Sequence, residues 1–180
     1  RFPSASGKDV PLWKRILSQG ITRAEDLPSF LGADRAGLAR VTARYPMRVN
    51  PYYLGLIQES GDAIYRQCIP DVQELEQSQG WEDPLREEAY SPVPGLTRRY
   101  SDRVLFLVSA RCAVYCRFCN RKRKVGHRSM LSKETIREGL AYIRSHREIR
   151  DVLLSGGDPL LLDNARLFSI LGELRSIPHV

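Results

Sequence analysis

The rhythm of apolar and polar positions changes near residue 103. Upstream, apolar residues come in short groups broken by proline and glycine. In ITRAEDLPSFL, residues 21–31, Thr22 and Glu25 stand three apart. That spacing predicts a capping box, with Leu27, Phe30 and Leu31 as the apolar stripe behind it. In ARYPMRVNPYYLGLIQES, residues 43–60, Pro51 suits the first turn of a helix running on through Leu54, Ile57 and Gln58. DPLREEAYSPVPGLTRRYSD, residues 83–102, is dense in turn formers and reads as a linker. Residues 1–95 are therefore expected to be a mainly helical N-terminal region ending in a linker.

From Arg103 the pattern becomes regular. RVLFLVS is a short unbroken apolar run, as in a strand buried on both faces. SKETIREGLAYIRSHREI follows, with Ser132 as its N-cap and Ile136, Leu140 and Ile143 on one stripe. DVLLSGGDPL reads as a second buried strand closed by a glycine turn, and DNARLFSILGELRSI as a helix capped by Asp163. Strand, helix, strand, helix is the opening of a parallel α/β sheet or barrel. A closed barrel uses about eight such units, so residues 96–180 are expected to be its first part, in a chain that looks truncated after the second βα unit.

Composition adds limits. The 180 residues are 42% hydrophobic and 27% charged, the balance of a soluble globular protein. The longest apolar runs, VLFLV and VLL, fall far short of a membrane span. The opening RFPSASGKDV has no apolar core of a signal peptide, and it lacks an initiator methionine. Four cysteines without a secretory signal point to thiols that bind metal or do chemistry, and to a cytoplasmic protein. The net charge of +7 admits a nucleic-acid surface, but its distribution matters more. No acidic residue occurs from Arg103 to Lys133, whereas seven lie between Asp71 and Glu88. Seven arginines and lysines fall between Arg111 and Arg128, around three of the cysteines.

Cys112, Cys116 and Cys119 stand just past the end of the first predicted strand, where parallel α/β folds carry their chemistry. Three thiolates are one short of a closed zinc site or an ordinary Fe–S cluster. A [4Fe–4S] cluster held by three leaves one iron for an external ligand. Cys68, 44 residues before Cys112, reads as a small buried hydrophobe. The C-x3-C-x2-C spacing resembles the signature of the radical S-adenosylmethionine (SAM) superfamily, where the methionyl amine and carboxylate chelate the unique iron. Phe118 before the third cysteine fits, and SGGDP resembles the superfamily's glycine-glycine-acid motif. There Gly156 and Gly157 would let the backbone approach a ligand, and Asp158 would meet the SAM ammonium. The basic residues would favour bound anions and the thiolate form of the cysteines.

Four stretches carry a closer resemblance: RYPMRVNPYYLGLI, DPLREEAYSPVPGLTRRYSDRVLFLV, CAVYCRFCNRKRKVG and DVLLSGGDPLLL. In this order they are similar to the lysine 2,3-aminomutase family. The resemblance implies a partial (β/α) barrel of the radical SAM type and an isomerase using a [4Fe–4S] cluster, SAM and pyridoxal 5'-phosphate (PLP). It implies conversion of an α-amino acid to a β-amino acid, lysine first, by a 5'-deoxyadenosyl radical and 1,2-amino migration. Cys112, Cys116 and Cys119 match the cluster ligands. Arg99, Tyr100 and Arg103 match positions near the PLP phosphate, and Arg121 matches the arginine that pairs with the substrate carboxylate. No catalytic residue beyond the cluster ligands is implied, and the PLP lysine is expected beyond residue 180. A flavodoxin- or ferredoxin-type electron donor and a homo-oligomer are also implied. Departures are Phe118, Asn120 and Arg98, where the family often has histidine, threonine and histidine. Glutamate, or a lysine later attached to a translation factor, remains an alternative substrate. A radical SAM enzyme acting on RNA is more distant, and a zinc or electron-transfer module is a third class.

Overall fold

The computed structural model describes residues 10–76, 80–127 and 131–180. Residues 1–9 of the opening stretch read above for a leader, and Arg128 of the basic cluster, lie outside the described residues. Two compact units divide the chain. The first holds the residues up to Glu76 together with Ala113–Arg117; the second holds the rest, resuming at Phe118 after the excursion. The boundary expected at residue 95 thus falls inside the second unit.

The first unit is built of short helices: α1 (Leu12–Ser18), α2 (Arg35–Arg44), α3 (Pro51–Leu54) and α4 (Ala63–Cys68). Asp34, Asn50 and Asp62 cap α2, α3 and α4 by accepting from the backbone N–H of Gly37, Tyr53 and Tyr65. Pro51 occupies the first turn of α3 as expected, but the helix ends at Leu54 instead of continuing to Gln58. The capping box expected at Thr22 and Glu25 does not form. Residues Ala24–Asp26 make a single 3-10 turn with no side-chain cap, and Glu25 pairs with Arg23 instead. Leu27 and Leu31 are buried there, while Phe30, expected on the same stripe, is exposed, because 3-10 turns do not carry the helical 3.6-residue face. The core gathers Leu27, Leu31, Leu38, Met47, Val49, Ile57, Cys68 and Ile69, with Val114 of the cysteine loop packed against it.

The second unit is a three-stranded sheet in the order β1 (Leu96–Thr97), β2 (Arg103–Ser109), β3 (Asp151–Gly156). β2 and β3 run parallel from Arg103↔Asp151, joined by α5 (Lys133–Ser145); α6 (Asn164–Arg175) follows β3. Ser132 and Asp163 cap these helices through the N–H groups of Thr135 and Arg166, as the sequence predicts. The core joins Val104, Phe106 and Val108 of β2 to Leu140 and Ile143 of α5 and Ile170 and Leu174 of α6. Gly139 lets α5 lie directly on Phe106, whose ring a Cβ at that position would strike. The stretch read as a linker contributes more than expected. It supplies the antiparallel edge strand β1, with Leu96 fully buried, and the buried carboxylate of Glu87.

Candidate functional site

The end of β2 and the end of β3 are locked together by backbone. The N–H of Gly157 donates to Ser109 O (2.6 Å), and that of Asp158 to Arg111 O (2.6 Å). Gly156 adopts φ +115°, a conformation suited to glycine, and a Cβ there would collide with the Ser109 carbonyl oxygen. A Cβ on Gly157 would collide with the Arg111 carbonyl. The two glycines thus serve a close approach of backbone to backbone. The partner they approach is the backbone that leads into Cys112. The Asp158 carboxylate accepts from the Leu160 N–H (2.9 Å), capping the short 3-10 turn Pro159–Leu161.

The cysteine loop leaves the second unit at Cys112 and gives residues 113–117 to the first. Within the first unit the Tyr115 N–H donates to Arg48 O (2.9 Å) and the Arg117 N–H to Gln67 O (2.8 Å). Asn50, buried, donates from Nδ2 to Ala113 O (3.4 Å). Arg117 is itself buried. Its Nε and Nη2 grip both oxygens of Glu74 (2.9 and 2.8 Å), and its Nη1 and Nη2 reach the carbonyls of Pro46 and Tyr45.

Back in the second unit, Cys119 Sγ accepts from the Arg121 N–H (3.3 Å). The chain then coils, with the N–H groups of Lys124 and Val125 both donating to Arg121 O. It closes on the strand through the Gly126 N–H to Ala110 O (2.8 Å). Arg121 forks onto Glu87, Nη2 to Oε1 at 2.5 Å and Nε to Oε2 at 3.1 Å. Lys124 Nζ lies 4.0 Å from the same carboxylate. Arg123 pairs with Asp83 and Glu88. Burial opposes the charge on Asp83, but the N–H groups of Glu88 and Glu87 and the guanidinium of Arg123 hold its carboxyl below the usual range.

The expectation that the basic cluster attends to bound anions therefore needs correction. Arg117, Arg121, Arg123 and Lys124 all face carboxylates drawn from the acidic stretch between Asp71 and Glu88. Glu87 and Glu74 are the site-forming residues that the sequence reading passed over. The signal for them was present: an acidic block and a basic block of similar length.

None of the four cysteines is in a disulfide; Cys112, Cys116 and Cys119 are partly accessible and Cys68 is buried. The Cys68 thiol donates to Ile64 O (3.3 Å), and burial pushes its pKa up to about 11. It is thus a protonated core thiol, as expected of it. The other three fit a cluster by donor chemistry: three accessible soft ligands on one loop, one of them accepting a backbone N–H as cluster thiolates do. Among the described residues no three His, Cys, Asp or Glu side chains are grouped as a metal site.

Arg99, Tyr100 and Arg103 lie at the opposite end of β2. Arg103 stacks over the Tyr100 ring at 5.5 Å and pairs with Asp102, and Arg99 stacks over Tyr90 at 5.6 Å. The six residue steps from Arg103 to Ser109 span ~20 Å of strand, so these residues are not brought beside the cysteines. Arg98, where the family often has histidine, ties the turn before β2 to the Tyr142 hydroxyl of α5 and to Glu148 in the segment after α5. Among the described residues no helix is long and apolar enough to cross a membrane.

Comparison with known proteins bears out the resemblance read from the sequence. Residues 106–180, a stretch of mixed α/β structure, match the Radical SAM superfamily. The chain is 44% identical over 178 residues to an L-lysine 2,3-aminomutase of Methanococcus maripaludis, covering 93% of this chain and 41% of that protein. It is 39% identical to the L-lysine 2,3-aminomutase of Fusobacterium nucleatum, over 99% of this chain and 44% of the relative. A glutamate 2,3-aminomutase of Clostridioides difficile is 40% identical, over 93% of this chain and 41% of the relative. The chain thus spans a little over two fifths of the length of these relatives.

Proposed function

We propose that this chain supplies the cluster-binding and SAM-binding part of a PLP-dependent radical SAM aminomutase, acting on L-lysine. The observation that carries this reading is the junction at the ends of β2 and β3. A three-cysteine loop leaves the β2 end, and a Gly-Gly-Asp turn is bonded to the backbone entering that loop. Residues 96–180 read as the first part of the radical SAM barrel, and the residues up to Glu76 as an added helical unit.

Cys112, Cys116 and Cys119 would hold a [4Fe–4S] cluster, with Asp158 meeting the ammonium of SAM. Arg99, Tyr100 and Arg103 would hold the phosphate of PLP by charge and hydrogen bonding. When bound, the cluster and SAM supply a 5'-deoxyadenosyl radical, and PLP supplies the π-system through which an amino group migrates. The chain's own residues place and neutralise. Arg121, with Nε and Nη2 held by Glu87, would offer its remaining donors to an amino acid's carboxylate, and the Gly156–Gly157 turn holds Asp158 against the loop entrance. A reduced flavodoxin- or ferredoxin-type donor would deliver the electron. L-Glutamate is the second reading, favoured by the 40% identity to a glutamate 2,3-aminomutase.

The test uses the full-length enzyme, reconstituted anaerobically with iron, sulfide, SAM and PLP and reduced with dithionite. L-Lysine and L-glutamate are supplied separately, and β-amino acid is measured by chromatography. Formation of β-lysine, lost in Cys116→Ala, is the expected result. No β-amino acid from either substrate in enzyme with a full cluster would refute the proposal.

A further inference from the structure

We infer that Glu87 is a positioning residue for Arg121, a fixed internal carboxylate that orients the guanidinium toward the α-carboxylate of an amino acid. The inference rests on the reading of Arg121 as a substrate-binding residue and deepens it.

Glu87 is 4% exposed, and a carboxylate buried that far requires cationic partners. Its two oxygens take the Nε and Nη2 donors of Arg121, a planar two-bond fork that fixes the guanidinium plane. Of the five N–H donors of an arginine, this fork engages two, and the Nη1 side is left for another acceptor. The Arg121 side chain is 21% exposed against 6% for Glu87, so the cation reaches solvent and its counter-ion does not.

The charge count points the same way. Arg121 and Lys124 face one carboxylate, which leaves the trio with one net positive charge (two minus one). One further carboxylate would balance it. Arg123 differs, since Asp83 and Glu88 already exceed its charge. Arg117 differs too, with Glu74 and two backbone carbonyls around it in the first unit. The Glu87 trio thus leaves positive charge over beside a fixed, buried carboxylate. An unanchored arginine would lose rotamer freedom on meeting a ligand, whereas one already pinned along one edge loses less. Glu87 therefore raises affinity for a carboxylate without touching it.

The experiment compares wild type with Glu87→Gln and Glu87→Asp in the reconstituted full-length enzyme, with iron, PLP and circular dichroism checked for each. KM and kcat are measured for the amino acid that the wild type converts. In parallel, the inhibition constant is measured for the matching amine that lacks the α-carboxylate: 1,5-diaminopentane for lysine, 4-aminobutanoate for glutamate. Glu87→Gln should raise KM about two- to tenfold, the scale of ordering one immobilised side chain, with kcat changed far less. The inhibition constant of the decarboxylated amine should not move, and Glu87→Asp should recover part of the KM. Equal shifts for substrate and decarboxylated amine, or an unchanged KM, would overturn the inference. If the Gln variant does not fold, the Asp variant carries the same comparison: a raised KM with an unmoved amine constant supports the inference, and any other pattern overturns it. An inactive wild type instead removes the reading on which the inference stands.

Discussion

Arg117→Met should destabilise the chain by about 3–5 kcal/mol, the cost of breaking a buried ion pair from one side. The side chains of Arg117 and Glu74 are 6% and 11% exposed, so solvent screens the pair little. Methionine fills most of the arginine's volume, so little of the cost is cavity. What remains is a carboxylate deprived of two hydrogen bonds, and two carbonyls, those of Pro46 and Tyr45, deprived of one each. Glu74→Gln probes the other partner of the pair. The amide carbonyl can still take the bond from the Asp71 N–H that closes the local capping box, while the substitution removes the charge that Arg117 had faced. Arg117→Met/Glu74→Gln should therefore be more stable than Arg117→Met alone, by about 1–2 kcal/mol. Urea unfolding of the four proteins, followed by circular dichroism under reducing, metal-free conditions, gives the cycle. An Arg117→Met cost below about 1 kcal/mol, the range of an exposed pair, would show that Arg117 is not an internal anchor. So would a double variant no more stable than the single.

Further outcomes are expected. Alanine at Cys112, Cys116 or Cys119 should abolish iron loading, while Cys68→Ala should retain it; equal iron loss in Cys68→Ala would contradict the three-thiolate set. In the metal-free folded chain at pH 8, iodoacetamide should label those three thiols and spare Cys68. The neutral Cys68 thiol is favoured by the fold, so its stabilising contribution is whole below the ordinary thiol pKa of about 8.5. It is lost as pH rises through that value toward about 11. Gly156→Ala should destabilise by about 2 kcal/mol or more, from a positive φ and a backbone collision. Gly172→Ala, mid-helix in α6 with open space around it, should instead stabilise by roughly 0.5–1 kcal/mol; a common sign in thermal unfolding would count against both. Asp158→Asn keeps an oxygen for the Leu160 N–H and loses the charge, so SAM binding, by calorimetry, should weaken roughly tenfold or more while the melting temperature holds. Unchanged SAM affinity would leave Asp158 a turn cap only.

Local chemistry was legible in the chain itself. The unbroken run from Arg103 to Ser109, the caps at Ser132 and Asp163, the glycine turn after β3 and the three-cysteine spacing each depend on residues a few positions apart. Such signals are decided by backbone geometry and side-chain reach, so they can be read without a fold. They fail where propensity is weak, as at Thr22 and Glu25, where a nearer arginine took the carboxylate and a single 3-10 turn replaced the helix. The destination of the loop's charges was decided only by tertiary structure. Arg117 finds Glu74 across 43 positions and Arg121 finds Glu87 across 34. Composition showed two blocks of opposite sign, but a charge does not encode which distant partner the fold will bring to it. The same holds for the cysteine loop: spacing marked its thiols, while only the packed chain shows Arg117 and its neighbours tied into the first unit and Arg121 into the second. Ion pairing acts over a few ångströms of space, and sequence distance carries almost no information about that separation until the core has formed.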